Sequence, residues 1–180
     1  MRILKDNSIG LVIDIQERLF PHIYENQQFL ANTRKLIEGF KILEIPIIVT
    51  EQYTKGLGQT IPEISSLFQP FSYYEKMSFS CMDDSEINKI LNQSGKKNVI
   101  ICGIESHVCV LQTAIDLKDS SFSPVVIADC ISSRKLSDKQ TTLQRMQTEN
   151  IIISSYESVL LELLRFAGTD QFRAISRLIK

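Results

Sequence analysis

Residues 97–117, KNVIICGIESHVCVLQTAIDL, decide the fold that we predict for this chain. The segment begins with a short apolar run, residues 99–102, which is typical of a strand buried on both faces in a parallel sheet. Gly103 ends this run, and apolar residues then recur at helical spacing over residues 108–117. The pattern therefore predicts a central strand that leads directly into a helix.

Cys109 lies where the predicted strand of this segment meets the predicted helix. With Ser106 as the predicted N-cap, Cys109 falls in the first turn of the helix, at the carboxyl edge of the strand. Free backbone N–H groups and the helix dipole favour a thiolate there. Free cysteine is also among the most buried residue types, so a purely structural thiol explains the position equally well. Position alone does not separate these interpretations.

The composition excludes several classes of partner. The chain has 180 residues, 43% of them apolar, which predicts one domain over residues 1–180. Its 20 basic and 21 acidic residues form no basic run, so we expect neither a nucleic-acid nor a membrane partner. The polar N-terminus and the lack of a long apolar run predict no signal peptide and no transmembrane helix.

The cysteines and histidines do not form a recognisable metal motif. The four cysteines are Cys81, Cys102, Cys109 and Cys130. None forms a Cys-x-x-Cys pair, and only His22 and His107 could assist as ligands. No glycine-rich phosphate loop is present. We therefore expect no metal and no cofactor, in a reduced, cytoplasmic protein.

Short apolar runs alternate with amphipathic segments along the whole chain. We predict six strands, near residues 8–13, 45–50, 71–75, 99–102, 123–129 and 151–153. The predicted helices cover residues 27–43, 61–68, 83–92, 106–117, 138–147, 154–166 and 171–179. This alternation predicts an α/β domain with a mainly parallel sheet and right-handed connections.

Three chemically useful side chains follow the ends of predicted strands. Asp14 follows the first strand, Lys76 the third, and Cys109 the fourth. Ligands in such sheets bind outside the carboxyl ends of the strands, so these residues should share one edge. Asp14 could instead cap a helix, and a lysine such as Lys76 is usually solvated. Together, however, an acid or base, a cation and a nucleophile favour a catalytic site.

On these residues the sequence resembles the isochorismatase-like cysteine hydrolases. The resemblance rests on residues 12–16 (VIDIQ), on Lys76 followed by MSFS, and on residues 103–110 (GIESHVCV). It covers nearly the whole chain. Residues 50–53 (TEQY) and the sequence Gly103-Ile104-Glu105 look most similar to the isochorismatase domain-containing proteins, a subgroup without a settled substrate.

The resemblance implies a specific architecture and site. It implies a three-layer Rossmann-like domain whose six-stranded, mainly parallel sheet has the order 3-2-1-4-5-6. It makes Asp14, Lys76 and Cys109 a catalytic triad and implies a cis peptide bond between Ile104 and Glu105. The N–H groups of Cys109 and of the residue after the cis bond would then form the oxyanion hole.

The resemblance also limits the reaction. Nicotinamidases bind a metal through an aspartate and histidines after the second strand, where this chain has Glu51-Gln52-Tyr53 and no histidine. True isochorismatases do not need the cysteine. Cys109 therefore points to hydrolysis of an amide-like C–N bond in a small molecule, through a thioester. In this mechanism Lys76 and Asp14 would bring the thiol pKa from about 8.5 into the range of about 3.5 to 7.5.

Several side chains are candidates to line the substrate pocket, each with a structural or solvent-exposed role as the alternative. They are Gln16, Phe20, Glu51, Tyr53, Phe79 and His107. Two other classes of function remain open for the whole chain. One is a binding or scaffold protein that keeps this fold without turnover. The other is a redox-sensing thiol, although Cys102 looks badly placed to resolve Cys109.

We also expect a homodimer or a higher homo-oligomer. Related proteins associate, and the C-terminal helices present apolar residues that one small sheet would leave uncovered. These residues are Leu160, Leu163, Leu164, Phe172, Ile175 and Ile179.

Overall fold

The structure is a computed structural model that describes residues 2–180. Its six strands are β1 (Ser8–Ile13), β2 (Ile47–Gln52), β3 (Tyr74–Lys76), β4 (Asn98–Ile104), β5 (Ser123–Ser132) and β6 (Ile152–Ser154). They form one sheet in the order β3-β2-β1-β4-β5-β6, and all neighbouring strands are parallel. The predicted fold class and strand order are confirmed.

Helices cover both faces of the sheet. They are α1 (Asn26–Ile42), α2 (Thr54–Leu57), α3 (Pro62–Ser65), α4 (Ser85–Gln93), α5 (Leu111–Asp119), α6 (Leu136–Thr148), α7 (Tyr156–Leu164) and α8 (Asp170–Ile179). Helices α1, α7 and α8 pack on one face, and α4, α5 and α6 pack on the other. Within residues 2–180, every helix is too short or too polar to cross a membrane.

The two central strands explain why the sheet has a core on each side. Every residue of β1 and β4 is buried. Successive side chains of a strand point to opposite faces. Leu11 and Ile13 accordingly pack under α4 and α5, whereas Val12 packs under α1. The apolar runs that predicted these strands are thus accounted for by burial on both faces.

Gly103 allows the carboxyl ends of β1 and β4 to approach closely. Its φ is +129°, and a Cβ at this position would lie 2.1 Å from the carbonyl oxygen of Ile13. Only glycine fits such a contact. The approach sets the residue after β1 beside the loop that follows β4.

Some predicted boundaries were wrong. Strand β2 begins after Pro46 and continues to Gln52, because Glu51 and Gln52 pair with Glu75 and Lys76 of β3. Strand β5 extends beyond the predicted end at residue 129 to Ser132, so Cys130, which the sequence places in a loop that could belong to a subunit interface, is a fully buried strand residue.

The terminal helices are covered within the chain itself. Leu160, Leu163 and Ile175 are buried in the same core as α1, and Leu164 and Ile179 pack against that core. Of the two reasons that we gave for association, the one based on uncovered apolar residues of the C-terminal helices was therefore wrong for these five residues. Association itself stays a prediction.

Candidate active site

Asp14 and Lys76 form a buried ion pair at the carboxyl edge of the sheet. Lys76 Nζ lies 2.6 Å from Asp14 Oδ2, and both side chains are fully buried. Thr50 donates its hydroxyl to Asp14 Oδ1 over 2.7 Å. Lys76 also donates to the backbone oxygens of Ser78 and Phe79, over 3.1 and 3.2 Å. Lys76 is thus neither solvated nor unpaired, and both charges are held by hydrogen bonds.

Cys109 is the third group at this place. Its side chain is almost fully buried, and the residue is 4% exposed. Its thiol lies 3.3 Å from Gln52 Oε1 and donates to it, and the charge of the nearby Asp14 carboxylate acts on the thiol. The structure therefore brings Asp14, Lys76 and Cys109 together, with Asp14 paired to Lys76 and near enough to Cys109 for its charge to act on the thiol.

The backbone at Cys109 differs from the prediction. Residues Ser106–Val110 form a π-helical turn, in which Val110 N donates to Glu105 O, and α5 begins only at Leu111. The Ser106 hydroxyl has no partner among the described residues, so it does not cap a helix. Cys109 hence lies in this wide turn and not in the first turn of an α-helix.

The predicted activation of the thiol by a lowered pKa was wrong. Burial raises the pKa of the Cys109 thiol, the negative charge of Asp14 raises it further, and Lys76 only partly offsets this. Burial alone would lower the pKa of Lys76, but Asp14 and the neighbouring thiols outweigh burial and raise it. With its pKa raised, the Cys109 thiol is neutral in the free protein, and Lys76, whose pKa is also raised, is protonated. The Asp14 carboxylate largely balances the positive charge of Lys76, so this charge does little to ionise the thiol.

The peptide bond between Ile104 and Glu105 is cis, at the place that the resemblance implies. The Glu105 side chain is nearly buried, and its Oε2 accepts hydrogen bonds from both N and Nε of Arg134, over 3.0 and 3.1 Å. Next to it, His107 Nδ1 lies 2.9 Å from Ser133 Oγ. These contacts fix the loop after β4 against the end of β5.

Two pocket candidates, Gln16 and Glu51, make hydrogen bonds within the protein. The Gln16 amide nitrogen donates to the carbonyls of Gln52 and Gly58, and its oxygen accepts from Gln52 N. Glu51 is fully buried, and its Oε1 accepts from Thr60 N, while its Oε2 has no partner in the described chain. Gln16 therefore fixes the end of β2.

The other pocket candidates differ in exposure. Phe20 packs in the core against Phe29. Tyr53 is 46% exposed and Phe79 is 52% exposed. A cavity of about 610 Å³ opens beside Lys76; its lining is Tyr53, Thr54, Lys55, Glu75, Lys76, Met77, Ser78, Asp83 and Asp84. Of the candidates, Tyr53 alone lines this cavity.

The sequence reasoning missed Gln52 as a neighbour of the site, and it placed Cys81 only in a loop near the same edge. Gln52 contacts the Cys109 thiol, and its place two residues after Thr50 on β2 was the signal that could have identified it. Cys81 is fully buried, and the charges of Asp14 and Lys76 act on its thiol. Burial raises the pKa of Cys81 to about 12, and likewise that of Cys102.

The histidine, cysteine and acidic side chains do not assemble into a metal site in the part of the chain that the structure describes. Nowhere in residues 2–180 do three or more of them group so that they could hold a metal ion.

Comparisons with known proteins place this site in a family. The family model for the isochorismatase domain matches residues 8–158. The chain is 34% identical to isochorismatase domain-containing protein 2 of Danio rerio over 178 residues, which are 99% of this chain and 89% of that protein. A structure of the MAR1 ribonuclease of Caenorhabditis elegans superposes with a TM-score of 0.93 at 34% identity, over 99% of this chain and 92% of that one.

A third similarity concerns the fold alone. The YcaC gene product of Escherichia coli, described as an octameric hydrolase of unknown specificity, superposes with a TM-score of 0.92 at 22% identity. The match covers 99% of this chain and 90% of that one. The domain match and the relatives at 34% identity show that the chain belongs to the isochorismatase family.

Proposed function

We propose that residues 1–180 form a single cysteine hydrolase domain that cleaves an amide-like C–N bond of a small molecule through a thioester intermediate. The observation that carries this proposal is the position of Asp14, whose carboxylate pairs with the Lys76 ammonium over 2.6 Å in a buried site and lies near enough to Cys109 to act on its thiol. A hydrolase is also what the isochorismatase family supports.

In the first step the Cys109 sulfur attacks the substrate carbonyl carbon. A C–S bond forms, the carbonyl oxygen becomes an oxyanion, and the thiol proton moves to Asp14. Because the pKa of the free thiol is raised, the proton leaves as the bond forms and not beforehand. Lys76 remains protonated and offsets the negative charge that develops nearby.

In the second step the tetrahedral intermediate collapses. The backbone N–H groups of Cys109 and Glu105, which follows Ile104 after the cis bond, would hold the oxyanion. Each such donor is worth roughly 100 to 1,000-fold in rate. Protonated Asp14 gives its proton to the departing amine as the C–N bond breaks, and a thioester remains. Water then adds to the thioester with Asp14 as the base, which releases the acid and restores the thiol.

The substrate would enter from the open cavity beside Lys76. We assign Tyr53, which lines this cavity, and Phe79, which is exposed next to the lining residue Ser78, to direct contact with substrate, and His107, which is bonded to Ser133, to support of the loop after β4. Gln16, Glu51 and Phe20 are assigned to the walls that support the site. A cavity of about 610 Å³ suits a small molecule.

The experiment is hydrolysis of a panel of small primary amides, ureas and hydroxamates. Cys109→Ala is the inactive variant, and Cys102→Ala is its matched control, since Cys102 is a buried thiol of β4. Wild type and Cys102→Ala should release amine from at least one panel member, and Cys109→Ala should not. Equal turnover by Cys109→Ala would overturn the proposal, and no turnover by any variant would favour a non-catalytic binding protein.

Ribonuclease activity is the second candidate, because the MAR1 ribonuclease is 34% identical to this chain. The net charge of −1 does not favour a polyanion, nor does a cavity lining with Glu75, Asp83 and Asp84 against Lys55. An RNA oligonucleotide in the same assay tests it. Cleavage that is lost in Cys109→Ala would replace the amidase proposal.

We further propose that the protein is a homo-oligomer in the cytoplasm. The E. coli YcaC gene product is described as octameric, and exposed apolar side chains (Tyr53, Met77, Phe79) surround the open cavity. All four cysteines are free and buried, which suits a reducing compartment. A monomer in light scattering at micromolar concentration would contradict the assembly.

A further inference from the structure

Two hydrogen bonds with the Gln16 side chain hold the backbone of Gln52 at the end of β2. Its backbone N–H donates to Gln16 Oε1 over 2.8 Å, and its backbone carbonyl accepts from Gln16 Nε2 over 2.9 Å. Its side chain is half-buried, and Gln52 Oε1 accepts the Cys109 thiol at 3.3 Å. The Gln52 amide nitrogen donates to no acceptor among residues 2–180. The backbone of Gln52 is thus fixed, while its side-chain amide can still rotate next to the Cys109 sulfur.

We propose that Gln52 is a specificity-determining residue, whose carboxamide oxygen accepts an N–H of the scissile nitrogen once the Cys109 proton has left. This inference rests on the proposed function and deepens it. It names the substrate class as compounds that carry at least one hydrogen on the nitrogen to be released.

The reaction removes the proton from the Cys109 sulfur, and this changes what Gln52 can bind. In the free protein this proton satisfies Gln52 Oε1. When sulfur bonds to carbon and the proton moves to Asp14, the oxygen loses this donor while bound substrate excludes water. An acceptor left without a donor in a desolvated site opposes the reaction. A substrate N–H removes that penalty, and an ester oxygen or a fully substituted nitrogen does not.

The geometry supports this exchange of partners. The leaving nitrogen is bonded to the carbon that sulfur attacks, so it is only one atom beyond the new C–S bond. An oxygen that is 3.3 Å from the sulfur is therefore within reach of a group on that carbon. Asp14 and Gln52 approach Cys109 from the ends of the neighbouring strands β1 and β2, so one can protonate the nitrogen while the other orients it.

The test compares leaving groups on the same acid. For the best acyl group of the panel, kcat/KM is measured for the primary amide, the N,N-dimethylamide and the methyl ester. Gln52→Met keeps the length of the side chain and removes both hydrogen-bonding groups. It should lower the ratio of primary amide to ester, and of primary to dimethyl amide, by about 10 to 100-fold, with the larger loss in the primary amide.

Two further variants keep the result interpretable. Gln52→Glu retains acceptor oxygens at the same length and should preserve the ratios better than Gln52→Met does. Gln93→Met makes the same substitution at an exposed site at the end of α4 and should leave both ratios as in wild type. Alkylation of Cys109 by iodoacetamide in each variant verifies that the folded site is present.

The outcomes separate this inference from the proposed function. If wild type hydrolyses amides but Gln52→Met leaves both ratios unchanged, or lowers all three rates equally, the role of Gln52 is overturned and the hydrolase stands. If wild type hydrolyses the dimethylamide but no substrate with an N–H on the scissile nitrogen, the inference alone is overturned; if it hydrolyses no amide-like substrate at all, both are overturned. A fall in the ratios in Gln52→Met that Gln52→Glu prevents would support the inference.

Discussion

The carboxyl edge of the sheet has two halves that use polar side chains in opposite ways. The triad half comprises Asp14, Lys76 and Cys109, and its ion pair is completely buried. The clamp half, between the ends of β4 and β5, comprises Glu105, His107, Ser133 and Arg134. There the Glu105 side chain is 9% exposed, and that of its partner Arg134 is 62% exposed.

The difference shows where chemistry can occur. In the clamp half the side chains bond one another across a loop, and their arrangement does not depend on a proton that moves. In the triad half the Asp14 carboxylate pairs with an ammonium and its charge acts on a thiol, so a single proton transfer from the thiol to Asp14 would change the bonding of the whole group. Buried charges also make this half costly to disturb. The half of the edge that can react is therefore also the half whose stability depends on the buried ion pair of Asp14 and Lys76.

The largest expected effect is the loss of the proton carrier in the triad half. Asn in place of Asp14 has nearly the same size, and its oxygen can still accept from Lys76 while its amide group donates to the Thr50 hydroxyl, but it cannot take the thiol proton. We expect kcat on the best panel substrate to fall by roughly 100 to 10,000-fold. Steady-state kinetics measure this, and full turnover by Asp14→Asn would remove Asp14 from the mechanism.

The next effect concerns stability in the same half. Lys76→Met leaves the Asp14 carboxylate buried without its cation, and the free energy of unfolding should fall by about 3 to 5 kcal/mol. Urea denaturation measures the change. Lys55→Met, at an exposed lysine in the neighbouring cavity, should change stability by less than about 0.5 kcal/mol. Similar losses in the two variants would mean that the buried pair has no special role in stability.

The smallest effect should come from the clamp half. Arg134→Met removes an ion pair whose basic member is largely exposed, so unfolding should become easier by only about 0.2 to 1 kcal/mol. Since salt screens such a pair, the difference from wild type should shrink further in 1 M salt. A loss as large as that of Lys76→Met would erase the distinction between the two halves.

The sequence was sufficient for the sheet and for the convergence of the triad. Apolar runs identified the strands, and the rule for the carboxyl ends of parallel strands brought Asp14, Lys76 and Cys109 to one edge. Both signals are local in the chain. The ends of the strands were harder to predict. Gln52 and Cys130 belong to strands because β2 pairs with β3 and β5 pairs with β4, and the local sequence pattern does not show which strands pair.

What the sequence could not predict depends on three-dimensional packing. The pKa of Cys109 is raised because the folded chain buries the thiol beside Asp14; the sequence predicted that the two residues converge, but not how completely the thiol is buried. The π-helical turn at Ser106–Val110 follows from a backbone hydrogen bond to Glu105. The burial of Leu160 and Ile175 likewise depends on how α7 and α8 dock on α1.

The most direct test of the triad is the pH dependence of Cys109 alkylation by iodoacetamide, followed by mass spectrometry with Cys109→Ala as the blank. Wild type should have its midpoint above the value of about 8.5 for a free cysteine, because burial and Asp14 raise the thiol pKa. Lys76→Met removes the charge that lowers this pKa, so its midpoint should move higher still. Asp14→Asn removes a charge that raises the pKa, so its midpoint should move lower. Shifts in the same direction, or an unmoved midpoint in Lys76→Met, would contradict the assignment of Asp14, Lys76 and Cys109 as one catalytic unit.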